Sequence, residues 1–190
     1  MFCSRNRRNP RQNTSEYATR ADFQKIFSDD MAGLHLLAYL LAGDRQMAEQ
    51  AFVSGLEDSI HGNPVFRQWA RSWGRRAIIK RAIRALAPSP DDPREAVPLA
   101  PDGTGNTEVD ELVAAVATLN AFQRFVFVLS ILEGYSTTEC AALLASTTRD
   151  VVSAKAEALK VIAASGQVEP SVPQVPVASW KSLFTPTQAS

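Results

Sequence analysis

The chain has 190 residues, 45% of them hydrophobic, with 20 basic and 20 acidic side chains and a formal net charge of zero. That apolar content suffices for one substantial core or two small ones, and the charge balance excludes a protein that is basic throughout while allowing one whose cations are gathered in one place. Cys3 and Cys140 lie far apart, and the two histidines have no ligand spacing, so neither a disulfide framework nor a metal site is expected.

Residues 1–19 are polar and rich in Arg and Asn, a composition that predicts a basic N-terminal extension with little fixed structure. No apolar run follows them to make a secretory signal. The longest apolar stretch, Met31 to Ala42, is interrupted by His35 and too short to span a bilayer, so a cytoplasmic location is expected and no membrane contact. Three helices are predicted next, over about 21–42, 45–60 and 64–86. Their separators are Gly43-Asp44 and His61-Gly62-Asn63-Pro64, ordinary helix stops and starts.

The third of these helices carries an uneven charge. From Arg67 to Arg84 there are six arginines (67, 71, 75, 76, 81 and 84) and Lys80, with no acid among them. Helical spacing puts Phe66, Trp69, Trp73 and Ala77 on one face, read as core, while Arg67, Arg71 and Arg75 climb another. Such a density of cations attracts phosphate; the alternative is a solvated ridge that pairs with acidic residues further on. Residues 87–106 supply the acids and have the Pro and Gly content of a flexible linker.

A second helical unit is predicted over 107–164, opened by a possible capping box at Thr107 and Asp110. Phe125, Val128, Leu129 and Leu132 recur at helical spacing, and Gly134 is placed to end that helix in a left-handed conformation. Ser136 with Glu139 forms a capping box for a short helix whose apolar stripe is Cys140, Leu143 and Leu144, which makes Cys140 a small core residue. Ala145-Ser146-Thr147 is the turn, and Thr147 with Asp150 caps a third helix carrying Val151, Val152, Ala154, Ala158, Leu159 and Ile162. A Pro-rich tail follows over 165–190, in which Trp180, Leu183 and Phe184 are the candidates for docking. No nucleophile, base and orienting group can be assembled, and His35 and His61 read as helix-surface and turn residues, so neither an enzyme nor a cofactor is expected.

The run from Leu119 to Ile162 resembles the helix-turn-helix of region four in RNA polymerase sigma factors of the small extracytoplasmic-function type. Leu119, Gln123, Arg124, Val128, Leu132-Glu133-Gly134, Ser136, Glu139, Ala141, Leu144, Val151, Ser153 and Ala158 fall where that pattern expects them. Residues 20–86 resemble region two, most clearly at Phe66, Trp69, Ala77, Ile78 and Ile79 and at Gly43-Asp44, Ala48 and Glu49.

The resemblance implies an all-α protein of two small domains on a linker, which binds core RNA polymerase and promoter DNA and has room for an anti-sigma factor as a further partner. It implies DNA contacts at Arg71, Arg75, Arg76, Lys80 and Arg84 in the first domain and at Thr148, Arg149, Ser153 and Lys155 in the second, with polymerase contacts at Ala48, Glu49, Gln50 and Val53. The chain also departs from the pattern. Gln50, Val53 and Ser54 stand where acid, Gln and acid are usual, Arg76 and Lys80 replace Asn and Asp, and Val152, Ala154 and Glu157 replace three DNA-facing cations. A protein-binding regulator that has lost promoter recognition is therefore the alternative function, and a regulator using only the second unit is a third.

Overall fold

A computed structural model describes residues 16–91 and 107–165; the expected extension, linker and tail, with Trp180, Leu183 and Phe184, fall largely or wholly outside them. Among the described residues there are eight α-helices and no strand, only a single bridge between Tyr17 and Phe66. The protein is all-α.

The stretch predicted as one helix over 21–42 is two, α1 (Arg20–Asp29) and α2 (Met31–Ala42). The break falls at Asp30, whose backbone leaves the helical region at φ −116° and ψ 30°. Its carboxylate lies 3.4 Å from Arg71 and 3.7 Å from Arg75 on a later helix. Thr19 and Asp22 close a reciprocal capping box at the start of α1, and Phe23 and Phe27 are its buried anchors. Helix α2 is apolar on nearly every side and accordingly central, with Leu34, Leu37, Leu40 and Leu41 sealed from solvent.

Asp44 caps α3 (Arg45–His61), accepting from the Met47 amide at 2.8 Å. The expected helix over 64–86 is shortened: a 3-10 turn at Arg67–Trp69 precedes α4 (Ala70–Leu86). This offset changes which face is buried. Ala70, Gly74, Ala77, Ile78, Ile79 and Ala82 pack inward, whereas Phe66 and Trp69, read from the sequence as core, are 36% and 55% exposed.

After residues 92–106 come α5 (Thr107–Ala117), α6 (Ala121–Phe127), α7 (Thr137–Leu143) and α8 (Thr148–Ser165). The caps of α7 and α8 form as the sequence predicts, through Ser136 with Glu139 and Thr147 with Asp150. The expected box at Thr107 and Asp110 depends on the Thr107 side chain, which lies outside the described residues. Gly134 takes the left-handed conformation at φ 75°. Between α6 and that glycine the helix widens to a π turn over Val128–Leu132, with the Glu133 amide bonded to the Val128 carbonyl at 2.9 Å.

The four helices before residues 92–106 and the four after them share a continuous apolar cluster, running from Phe27 and the α2 leucines through Ile78 and Ile79 to Phe125, Leu129, Cys140, Val151 and Ala158. Arg124 crosses that seam. Its guanidinium, on a residue only 3% exposed, donates to the carbonyls of Leu41 at 3.2 Å and Ala42 at 3.3 Å, the last turn of α2. Burial pushes its pKa below the ordinary arginine value, and the negative end of α2 is the compensation. Gly43 beside it is left-handed at φ 72°, and a Cβ there would lie 2.8 Å from the guanidinium carbon. No described helix is long and apolar enough to cross a membrane.

Candidate nucleic-acid interface

The cations of α4 and of the 3-10 turn before it differ in their partners. Arg67 meets Asp22 at 3.2 Å, Arg71 meets Asp30, and Arg81 forms a two-bond pair with Asp58, its Nε donating at 2.6 Å. These partners come from α1, the α1–α2 break and α3, so the acids of the proline-rich stretch are not needed to neutralise them. Arg75 is taken further inward. It donates from both Nε (3.0 Å) and Nη2 to the carboxylate of Glu133, and its side chain is 16% exposed against 8% for Glu133. Burial works against its charge, yet Glu133 and Asp30 hold its pKa above the ordinary value.

Arg76, Lys80 and Arg84 remain, at four-residue steps along one stripe of α4 and with no described carboxylate at ion-pair distance. They line a groove of about 410 Å³ together with His61, Asn63 and Trp73. Lys80 sits 5.8 Å from the centre of the Trp73 ring. Trp73 and Arg76 also belong to a neighbouring hollow of about 460 Å³, completed by Pro64, Val65, Phe66, Trp69, Ser72 and Tyr135. Its walls are largely aromatic: Phe66 meets Trp69 edge-on at 5.2 Å and is backed by Tyr17, stacked on it at 4.9 Å. A stripe of cations therefore adjoins an apolar recess with room for a planar ring.

Tyr135 reaches this recess from the other helical group and carries no sequence signal as a site residue. Burial raises its phenol pKa, opposed by the charge of Arg76. Glu139 is held below the usual carboxylate range first by hydrogen bonds from Ser136, with Arg76 adding to the effect.

On α8, Thr148, Arg149 and Ser153 are exposed and Lys155 is half-buried. Between the cations runs an apolar stripe: Val152 is 57% and Leu159 40% exposed, with Ala156 exposed on the same face. On α3 the polymerase candidates divide. Glu49, Gln50 and Val53 are on the surface, whereas Ala48 is fully buried and has nothing to offer a partner, a correction imposed by the packing of α3 on α2. Among the described residues no three histidine, cysteine or carboxylate side chains converge as a metal would require.

No family model and no curated protein sequence matches the chain. Among solved structures, the chain is similar to the sigma factor RpoE of Bartonella quintana, crystallised in complex with the anti-sigma factor NepR. The TM-score is 0.46 and the sequence identity 20%, over 78% of this chain and 99% of that one.

Proposed function

We propose that the chain is a divergent sigma factor of the extracytoplasmic-function type, which works in the cytoplasm to direct core RNA polymerase to promoters. The observation that carries this reading is the stripe of Arg76, Lys80 and Arg84 beside the recess of Phe66, Trp69 and Trp73. Phosphates of a separated strand fit the stripe, and an unstacked base fits the recess. The helix-turn-helix of α7 and α8 then reads duplex DNA upstream through Thr148, Arg149, Ser153 and Lys155. Glu49, Gln50 and Val53 on α3 face the polymerase. In this reading the units are residues 20–86 and 107–164, and catalysis belongs to the polymerase.

The test is a two-step one. The purified chain is mixed with core RNA polymerase and passed over a sizing column at moderate salt, where co-elution is expected. The complex is then titrated with promoter DNA. Changing Arg76, Lys80 and Arg84 to Glu is expected to abolish promoter binding while the helical circular-dichroism signal persists, and undiminished binding would remove the assignment of α4.

A specific observation favours a second reading, a regulator that binds protein instead of promoter. The outward face of α8 presents Val152, Ala156 and Leu159, where a DNA-reading helix needs cations and polar groups. Failure of a folded chain to co-elute with the polymerase selects this alternative.

A further inference from the structure

The face of α4 proposed above to bind a strand is already in contact with another part of the protein itself. Glu133 places a carboxylate on Arg75, with Nε 3.0 Å from Oε2 and a second bond from Nη2. Tyr135, two residues on, lines the recess with Phe66, Trp69 and Trp73. The order of chemistry is anion, ring, and then a second anion in Glu139, whose carboxylate feels the charge of Arg76. A nucleic-acid strand offers the same alternation of phosphate and base. We infer that residues 133–139 are an internal stand-in for a single strand, seated on α4, so that strand binding and this contact between the two helical groups exclude each other. The inference rests on the reading of α4 as a strand-binding surface and adds to it a means of regulation.

The backbone holds the segment in this pose. The π turn over Val128–Leu132 and the left-handed Gly134 end α6 abruptly, the Tyr135 amide bonds back to the Leu129 carbonyl at 2.9 Å, and Ser136 starts α7 at once. Glu133 and Tyr135 are thereby fixed on either side of the glycine. Energetically the contact is suited to exchange. Arg75 and Glu133 are both largely withdrawn from water, so the attraction between them is offset by the cost of desolvating two charges, and the pair adds little net stability. An incoming strand gains counterion release at every phosphate it neutralises. No residue of the segment lines the groove of Lys80 and Arg84, which offers such a strand its first foothold.

The experiment uses the full chain and a fluorescein-labelled, mixed-sequence 12-nucleotide DNA strand, with binding followed by anisotropy. Glu133→Gln, Tyr135→Ala and the double variant are expected to bind at least tenfold more tightly than the unaltered chain. Arg76→Glu with Lys80→Glu is expected to lose binding in either background. If the strand binds, is lost with Arg76→Glu and Lys80→Glu, and is indifferent to Glu133→Gln and Tyr135→Ala, the stand-in is overturned and the α4 surface survives. If no variant binds the strand, the reading of α4 falls and the inference falls with it. Should Glu133→Gln lose its helical signal, Tyr135→Ala decides alone: it is expected to bind the strand at least tenfold more tightly than the unaltered chain, and equal binding overturns the proposal.

Discussion

Arg124 shows how far a single side chain can depart from what its position suggests. It lies in the middle of an apolar run, Phe122 to Leu129, and no periodicity separates it from a surface arginine, because its partners are backbone carbonyls 82 and 83 residues away. Replacing it with Ala removes two charge-assisted hydrogen bonds and opens a cavity, and urea unfolding is expected to show a loss of about 3 kcal/mol. Arg124→Lys is expected to recover only part, since an ammonium cannot span two carbonyls as a planar fork does. Ala48 and Trp69 mark the same limit from opposite sides. Ala48 matched a surface pattern and is buried; Trp69 matched a core pattern and is exposed, because one 3-10 turn shifts it out of register with α4. Within the candidate site, spacing singled out Arg67, Arg71 and Arg75, which the fold pairs with Asp22, Asp30 and Glu133, while Arg76, Lys80 and Arg84 were legible only as part of the cation-rich run and through the family resemblance. The contributions of Glu133 and Tyr135 were not legible, since they depend on contacts across the fold.

At the scale of elements, what local chemistry decides was readable. The boxes at Ser136 with Glu139 and Thr147 with Asp150 bind their own neighbours, and both helices start where these residues stand. Ser136→Ala is expected to cost about 1 kcal/mol in thermal or urea unfolding, with α7 the first helix to lose amide protection. The break at Asp30, whose carboxylate meets Arg71 and Arg75 of α4, and the π turn left no mark in the pattern. The caps also impose an acid limit. Glu139 and Asp150 are held low by the hydroxyls of Ser136 and Thr147, and Asp58 by Arg81. A carboxyl depressed in the folded state contributes stability that is present above its unfolded pKa and is lost as pH falls through its folded pKa. The urea midpoint is therefore expected to be level from pH 8 to about pH 5 and to decline below about pH 4, the ordinary carboxylate range. A decline that began near pH 6 would implicate other groups.

For the whole molecule, the apolar residues of α2 meet those of α5 and α6, and the Arg124 contact ties the two helical groups where they join. Composition cannot report this. A proline-rich stretch marks a change in chain character and says nothing about whether the faces on either side of it touch. With one continuous core, heat denaturation is expected to be a single transition whose calorimetric and van't Hoff enthalpies agree. Two resolved transitions would show that the groups unfold independently.

Cys140 lies against this same arrangement. It is fully buried, burial raises its thiol pKa, and its sulfur sits 4.0 Å from the carbonyl of Tyr135. A neutral, sealed thiol is a poor nucleophile, so oxidants and alkylating reagents reach it only while α7 is parted from its neighbours. In a chain whose other thiol, Cys3, has been changed to Ser, the rate of alkylation becomes a clock for that parting. Every ligand that holds the molecule open would make the clock run faster, and every ligand that holds it shut would slow it.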